Sequence, residues 1–503
     1  LAVDKKRAVR GQRRVPLSHW TIGKGWSIGL AGQNCSATFV PKTYTGWMQG
    51  FVFWCGDPDS HKPKGHEPSK ALSEEHWQSV WRRLLGILIV GLSCSQATLA
   101  YSVLTHEEIV DLVWEDQIRP LLARKFPGLS EEQIREAHAH AYGGSVIQDL
   151  GYYPFGSTEF SNLVHYVRSG DFVLELIRQS QNANEYAFAL GALAHYASDM
   201  AGHPAVNHSV AMLYPKLRSK YGNSVRFAQG KGAHLKTEFG FDVAQVARKR
   251  YASEKYRDFI GFKVSKPLLE RAFPSVYGLE MKDVLANDDL AIGSYRFSIS
   301  TLIPKMTKVA LQAHKTELMR ETKNFEKEKF VYRLSRADYE KEWGKDYRKP
   351  GFGTVVLATI LRCIPKVGPF KALAFKPPTP QTEAEYFKSL NTTIDQYRAF
   401  LREAGTDSLR LRNCDLDTGA DTRPAEYSLT DDAYARLVGK LMKRKFDLMT
   451  PALRDNILRF YSDLSTPIAT KKDPSRWHAL LGALNQLKST TPSQTLASNP
   501  VEP

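Results

Sequence analysis

The chain has 503 residues, 42% hydrophobic and 24% charged, with a formal net charge of +16. That balance excludes a chain too polar to bury a core, and the length is a prior for two or three domains. The basic excess suits an anionic partner, whether nucleic acid, an anionic membrane surface or a phosphate-bearing substrate, without choosing among them. None of the five cysteines forms a CxxC pair, which argues against a thiolate zinc site.

Residues 1–79 are basic and rich in Gly and Trp, with no sustained helical or strand period. A poorly structured extension, or a gene-start artefact, is expected there. VWRRLLGILIVGLSCSQATLAYS follows. Trp81, Arg82 and Arg83 make a basic leader, Leu84 to Leu92 a nine-residue apolar run, and Thr98-Leu99-Ala100 a cleavage site of small residues. This reads as a secretory signal peptide over 80–100, because the apolar run is too short to span a bilayer. Cleavage near Ala100 would start the mature chain at Tyr101, in a secreted or periplasmic protein.

From 105 the pattern is helical. In THEEIVDLVWEDQIRPLLARKF, Thr105 followed by Glu108 predicts a capping box. Ser130 predicts the N-cap of the next helix. Further helices are predicted at about 158–181, 184–202, 207–221, 231–251, 253–261, 263–273 and 279–320. Strand-like alternation is scarce, so the fold class is all-α. A catalytic region is expected over 101–329, a second helical region over 330–483, and a disordered tail over 484–503. Within the second region, 352–376 is an apolar run framed by Lys and Arg and broken by Pro365 and Gly368. It reads either as a buried helix pair or as a basic membrane-contact segment.

Histidine carries the chemistry. Of 14 in the chain, eight lie between His106 and His234. In ALAHYASDMAGHP, His195, Asp199 and His203 are spaced four apart, which stacks them on one helix face. His234 and Glu238 form a second such pair in GKGAHLKTEFGFD. Either pair alone is a weak signal, but His106, Asp149 and His165 accumulate beside them among small or apolar neighbours. Imidazoles and carboxylates buried without partners are costly, and a shared metal removes that cost. Zinc accepts both ligand types, and helical bundles build metal sites from inward-facing side chains. His138 and His140 are held as structural alternates, and His208, beyond Pro204 and Asn207, is left out. Tyr152, Tyr153, Phe155 and Tyr166 read equally as cleft lining or as core.

The order of a His near a processed N-terminus, an Asp, a His, HxxxDxxxH and HxxxE resembles the zinc-dependent phospholipase C family over about 101–300. That family includes the catalytic domain of glycosylphosphatidylinositol-specific phospholipase D, and fungal single-strand-specific zinc nucleases share its architecture. The resemblance implies a multi-helix bundle with up to three zinc ions. The first would be held by Asp149, His165, His195 and Asp199, and the second by His203, His234 and Glu238. The third would take His106, Asp199 and the free amine and carbonyl of Tyr101, where the family usually has Trp. Asp199 would bridge two ions, and Asp149 would be a ligand, a general base, or both. A zinc-activated water would then attack the phosphorus of a phospholipid or other phosphodiester. The rival readings are a single-strand nuclease on the same scaffold, which alone would bind nucleic acid, and a non-catalytic zinc-stabilised binding protein. A monomer is expected.

Overall fold

The computed structural model describes residues 102–248, 261–321 and 373–492, and four two-residue strands nearer the N-terminus. Residues 1–78 and 79–503 form separate units. The strands of the first pair antiparallel, Trp20–Thr21 with Ser27–Ile28 and Ala37–Thr38 with Val52–Phe53. The signal-peptide segment 80–100, Tyr101, the helix expected at 253–261 and most of 352–376 lie outside the described residues.

In its described residues the second unit is all-α apart from one small hairpin, Cys414–Asp415 paired with Ala420–Asp421. Its helices include α1 (Val103–Val113), α2 (Glu131–Gly144), α3 (Thr158–Tyr166), α4 (Ser169–Arg178), α5 (Ala183–Leu213), α6 (Phe227–Ala247), α7 (Pro380–Ala404) and α8 (Ser428–Lys443). None of the described helices is long and apolar enough to cross a membrane.

Helix α5 is the axis of this unit, and nearly its whole length is buried. It packs most extensively against α2 and α7. Small residues set the first contact. A Cβ on Gly191 would lie 2.0 Å from the Ala141 carbonyl oxygen, and one on Gly144 would lie 1.9 Å from that of Phe188. Only glycine at both positions lets the two backbones touch. On the other side, the Tyr397 hydroxyl of α7 donates to the Leu190 carbonyl at 2.8 Å. The described part of the 330–483 region therefore lies in the same unit as the expected catalytic region. At its end a helix runs Pro474–Ser489 with Leu484 and Leu487 buried, so order extends past the boundary expected at 484.

Four local expectations change. The single helix expected over 158–181 breaks between α3 and α4, where Val167 is extended and Arg168 is left-handed (φ 51°). The Arg168 guanidinium explains the break: it donates to the Val276 carbonyl and to Asp171 at 2.6 and 2.7 Å. The 279–320 helix is interrupted at Asn287, whose side chain accepts from Leu290 N and starts a new helix. Conversely, α5 runs unbroken through Pro204. Proline removes one N–H, and that of residue 204 would have served the Met200 carbonyl. Gly419 of the hairpin covers this carbonyl, with space for no side chain: its Cβ would lie 2.5 Å from that oxygen.

The fourth change concerns α1. Its N-cap is Ser102, not Thr105. Thr105 lies one turn inside, and its hydroxyl donates to Asp242 Oδ1 at 2.6 Å. Leu104 N donates to the other Asp242 oxygen at 2.9 Å, so a carboxylate from α6 caps α1. Ser130, by contrast, caps α2 through the expected capping box with Gln133.

Burial pushes the Asp242 carboxyl up to about 6 from its ordinary 3.8, against the hydrogen bonds it receives. A raised folded-state value means that the fold holds this proton more tightly than the unfolded chain. The stability it contributes is complete below about 4 and lost as pH rises through about 6. Asp242→Ala should therefore cost about 2 kcal/mol near pH 5, from donors left unpaired, and less near pH 7.5. Urea unfolding at the two pH values reads this difference, and an equal cost at both contradicts it.

Candidate metal centre

Helix α5 presents His195, Asp199 and His203 on one face, all buried. The neighbours Ala192, Ala194, Ala197 and Gly202 are small, so other helices come close enough to add their own groups. His106 comes from α1, His165 from α3, and His234 and Glu238 from α6. Asp149 sits on a tight turn, Ile147–Tyr152, after α2. That turn is fastened to α3 by Ser161, whose hydroxyl donates to the Gln148 carbonyl and accepts from Gly151 N. None of these eight groups is more than 2% exposed.

The rings are aimed from behind. His165 Nδ1 donates to the Ser161 carbonyl at 2.8 Å and His195 Nδ1 to that of Ser145 at 2.9 Å. His234 uses Nε2, donating to Val225 O at 2.6 Å. Each such bond fixes a tautomer and turns the other ring nitrogen toward the cluster as an acceptor, the arrangement that metal-bound histidines need.

The cluster-facing nitrogens meet carboxylates. His195 Nε2 lies 3.1 Å from Asp199 Oδ2, and His165 Nε2 lies 3.3 Å from the same oxygen and 3.4 Å from Asp149 Oδ1. His106 Nε2 is 3.8 Å from Asp199 Oδ1, and His203 Nε2 is 3.7 Å from Asp199 Oδ2. His234 Nδ1 is 3.5 Å from Glu238 Oε1. Among the described residues three groups have donor atoms within 4.8 Å of one another: His165 with His195 and Asp199, His203 with His234 and Glu238, and His106 with Asp149 and His195. The first two fall within the expected ligand sets. The third differs in part, because His106 converges with Asp149 and His195 while reaching Asp199 only by the longer contact. Tyr101 lies outside the described residues.

The electrostatics of the cluster follow from burial and from the charges its groups place on one another. Burial lowers His106 well below the usual imidazole range and pushes His234 down to about 4. Burial raises Asp149. At His165 burial is outweighed by the adjoining Asp149 and Asp199 carboxylates, so its value rises, and Asp199 is in turn held well below the usual carboxylate range by His195 and His165 against burial. Both Asp199 oxygens, Asp149 Oδ2 and His234 Nδ1 have no hydrogen-bond partner among the described residues. Several buried acceptors converging without donors are what a cation satisfies, and nitrogen with carboxylate oxygen is a zinc donor set.

The alternates fall elsewhere. His138 Nε2 bonds Asp111 Oδ1 at 2.8 Å and its ring stacks on Trp114, while His208 is exposed although α5 carries it. Tyr152 is buried with its ring 6.0 Å from that of His165, Tyr153 packs on Tyr295, and Phe155 is exposed. Two residues were not anticipated. Asp242 extends the α6 row by one more four-residue step after His234 and Glu238, a spacing that was readable. Asp417, from the hairpin, puts Oδ1 3.2 Å from His203 Nε2, and no local pattern announces it.

Comparison with known families agrees with this geometry: residues 105–287 match the family model described as zinc dependent phospholipase C. Neither the curated proteins nor the solved structures yield a match. The matched segment contains His106 and every other candidate ligand from Asp149 to Glu238, and its family acts on phospholipids as a zinc-dependent hydrolase. Residues 105–287 are thus a segment of the zinc-dependent phospholipase C type.

Proposed function

We propose that the protein is a secreted phosphodiesterase of the phospholipase C type, working with three zinc ions. One observation carries the reading: two helix rows, His195–Asp199–His203 and His234–Glu238, converge with His106, Asp149 and His165 into one buried donor set inside the family segment. A structural zinc needs only about four ligands, so a set of this size exceeds what stabilisation alone requires.

In this reading Asp149, His165, His195 and Asp199 hold one ion, and His203, His234 and Glu238 hold a second. His106 and Asp199 hold a third with the backbone amine and carbonyl of Tyr101. Zinc, when bound, supplies charge neutralisation on phosphate oxygens and a water that ionises near neutral pH. The protein's own part is orientation and proton handling. Asp199 sits between His165, His195 and His203, and so couples the rows. Asp149 Oδ2 has no hydrogen-bond partner among the described residues. It is thus suited to orient the attacking water and take its proton. The products are a diacylglycerol and a phosphorylated head group. The net charge of +16 favours an anionic surface, and 352–376 is the segment proposed to touch it.

Protein processed at Tyr101 and loaded with zinc is expected to hydrolyse phosphatidylcholine or phosphatidylinositol in preference to single-stranded DNA. His195→Ala should lower that turnover at least ~100-fold. DNA cleavage without lipid turnover contradicts the lipid reading, and full activity in His195→Ala contradicts the metal site. The third ion tests secretion separately. An internal amide nitrogen cannot replace a terminal amine as a ligand, so the full chain should bind one ion fewer than the chain starting at Tyr101. Equal zinc content by elemental analysis would refute this.

A further inference from the structure

We propose that Asp417, which lies well beyond the family segment, is a protein ligand of the zinc held by His203, His234 and Glu238. The inference rests on the zinc reading above and adds to it a residue from the C-terminal region.

The placement of Asp417 is built by many contacts. Leu416 N donates to the carbonyl of His165 at 3.1 Å, and Thr422 Oγ1 donates to that of Tyr166 at 3.2 Å. Both carbonyls are at the end of α3, where the break at Val167 and Arg168 frees them from helical bonding. Ser169 ties the hairpin to the start of α4, donating to the Cys414 carbonyl and accepting from Cys414 N. Gly419 seats on the Met200 carbonyl opposite Pro204. Asn207 of α5 donates to the backbone carbonyl of Asp417 at 3.3 Å. The hairpin is thus fixed against three of the elements that carry or flank metal ligands.

The side chain is equally constrained. Oδ2 accepts from the Tyr166 and Tyr427 hydroxyls at 2.8 and 2.5 Å. With Oδ2 occupied twice, Oδ1 is left facing His203 Nε2 at 3.2 Å, and the residue is only 3% exposed.

That separation has a meaning. Zinc bonds of about 2.0–2.2 Å at tetrahedral angles put neighbouring ligand atoms roughly 3.4 Å apart. The His195–Asp199, His165–Asp199, His165–Asp149 and His234–Glu238 contacts run from 3.1 to 3.5 Å. His203–Asp417 at 3.2 Å belongs to the same series. His203, His234 and Glu238 supply three donors, and zinc seeks about four. A fourth from Asp417 would close that ion to water and leave the reacting water to the ions at His165, His195 and His106.

The test uses the full 503-residue chain, stripped of metal and titrated with zinc against a chromophoric chelator, then repeated with cobalt(II) for its visible spectrum. Asp417→Asn keeps an acceptor for the two phenols. It is expected to weaken one ion at least ~100-fold and to change the cobalt spectrum, the outcome also expected of Glu238→Gln. Asp421→Asn, an exposed change in the same hairpin, is expected to do neither. If Asp417→Asn binds like the wild type while Glu238→Gln loses an ion, the proposal fails and the zinc reading stands. If Glu238→Gln also binds like the wild type, both fail. Should Asp417→Asn lose helix in the metal-free state, Tyr427→Phe decides, because it must weaken the same ion, and unchanged binding overturns the proposal.

Discussion

The structure depends on one constraint: the central helix carries imidazoles and a carboxylate where a core should be. His195, Asp199 and His203 lie inside α5 at 2% exposure or less, surrounded by alanine and glycine. Burial and mutual charge push their neighbours in opposite directions, lowering His106 and raising Asp149. Such a cluster is costly to a fold unless something pairs it. The surrounding architecture serves that pairing. Small residues let α2 approach α5 to backbone contact, carbonyls behind three rings choose their tautomers, and a capped α1 delivers His106.

The same constraint ties the C-terminal region to the family segment. Two irregularities in the segment serve the 414–421 hairpin. The break after α3 exposes carbonyls that Leu416 and Thr422 use, and Pro204 releases the Met200 carbonyl that Gly419 covers. Irregular backbone at these places is a docking surface for the segment that supplies Asp417. The region beyond residue 330 therefore does more than brace the bundle: one of its carboxylates faces His203.

How much of this was legible in the sequence follows from range. The all-α class and the two four-residue rows depend on local periodicity, and both are visible in ALAHYASDMAGHP and GKGAHLKTEFGFD. So is the Ser130 capping box. Asp242 shared the α6 spacing, but its task of capping α1 depends on how two helices cross. The helix break at Arg168 was hidden because it is set by a guanidinium reaching Val276, far along the chain. Pro204 suggested a break by local rules, and tertiary packing overrode it. Asp417 could not be read at all, since nothing in CDLDTGAD distinguishes a ligand from a solvated acidic turn.

The central claim is that these buried groups exist to bind zinc, and locating the metal tests it most directly. Diffraction from crystals of the zinc-loaded protein, recorded on both sides of the zinc absorption edge, gives the positions of the ions without assumption. The account predicts anomalous peaks about 2.0–2.2 Å from His165 Nε2, His195 Nε2 and His234 Nδ1, with Asp199 within bonding range of more than one. Zinc found only at surface histidines such as His208, with the α5 row free of metal, would contradict it.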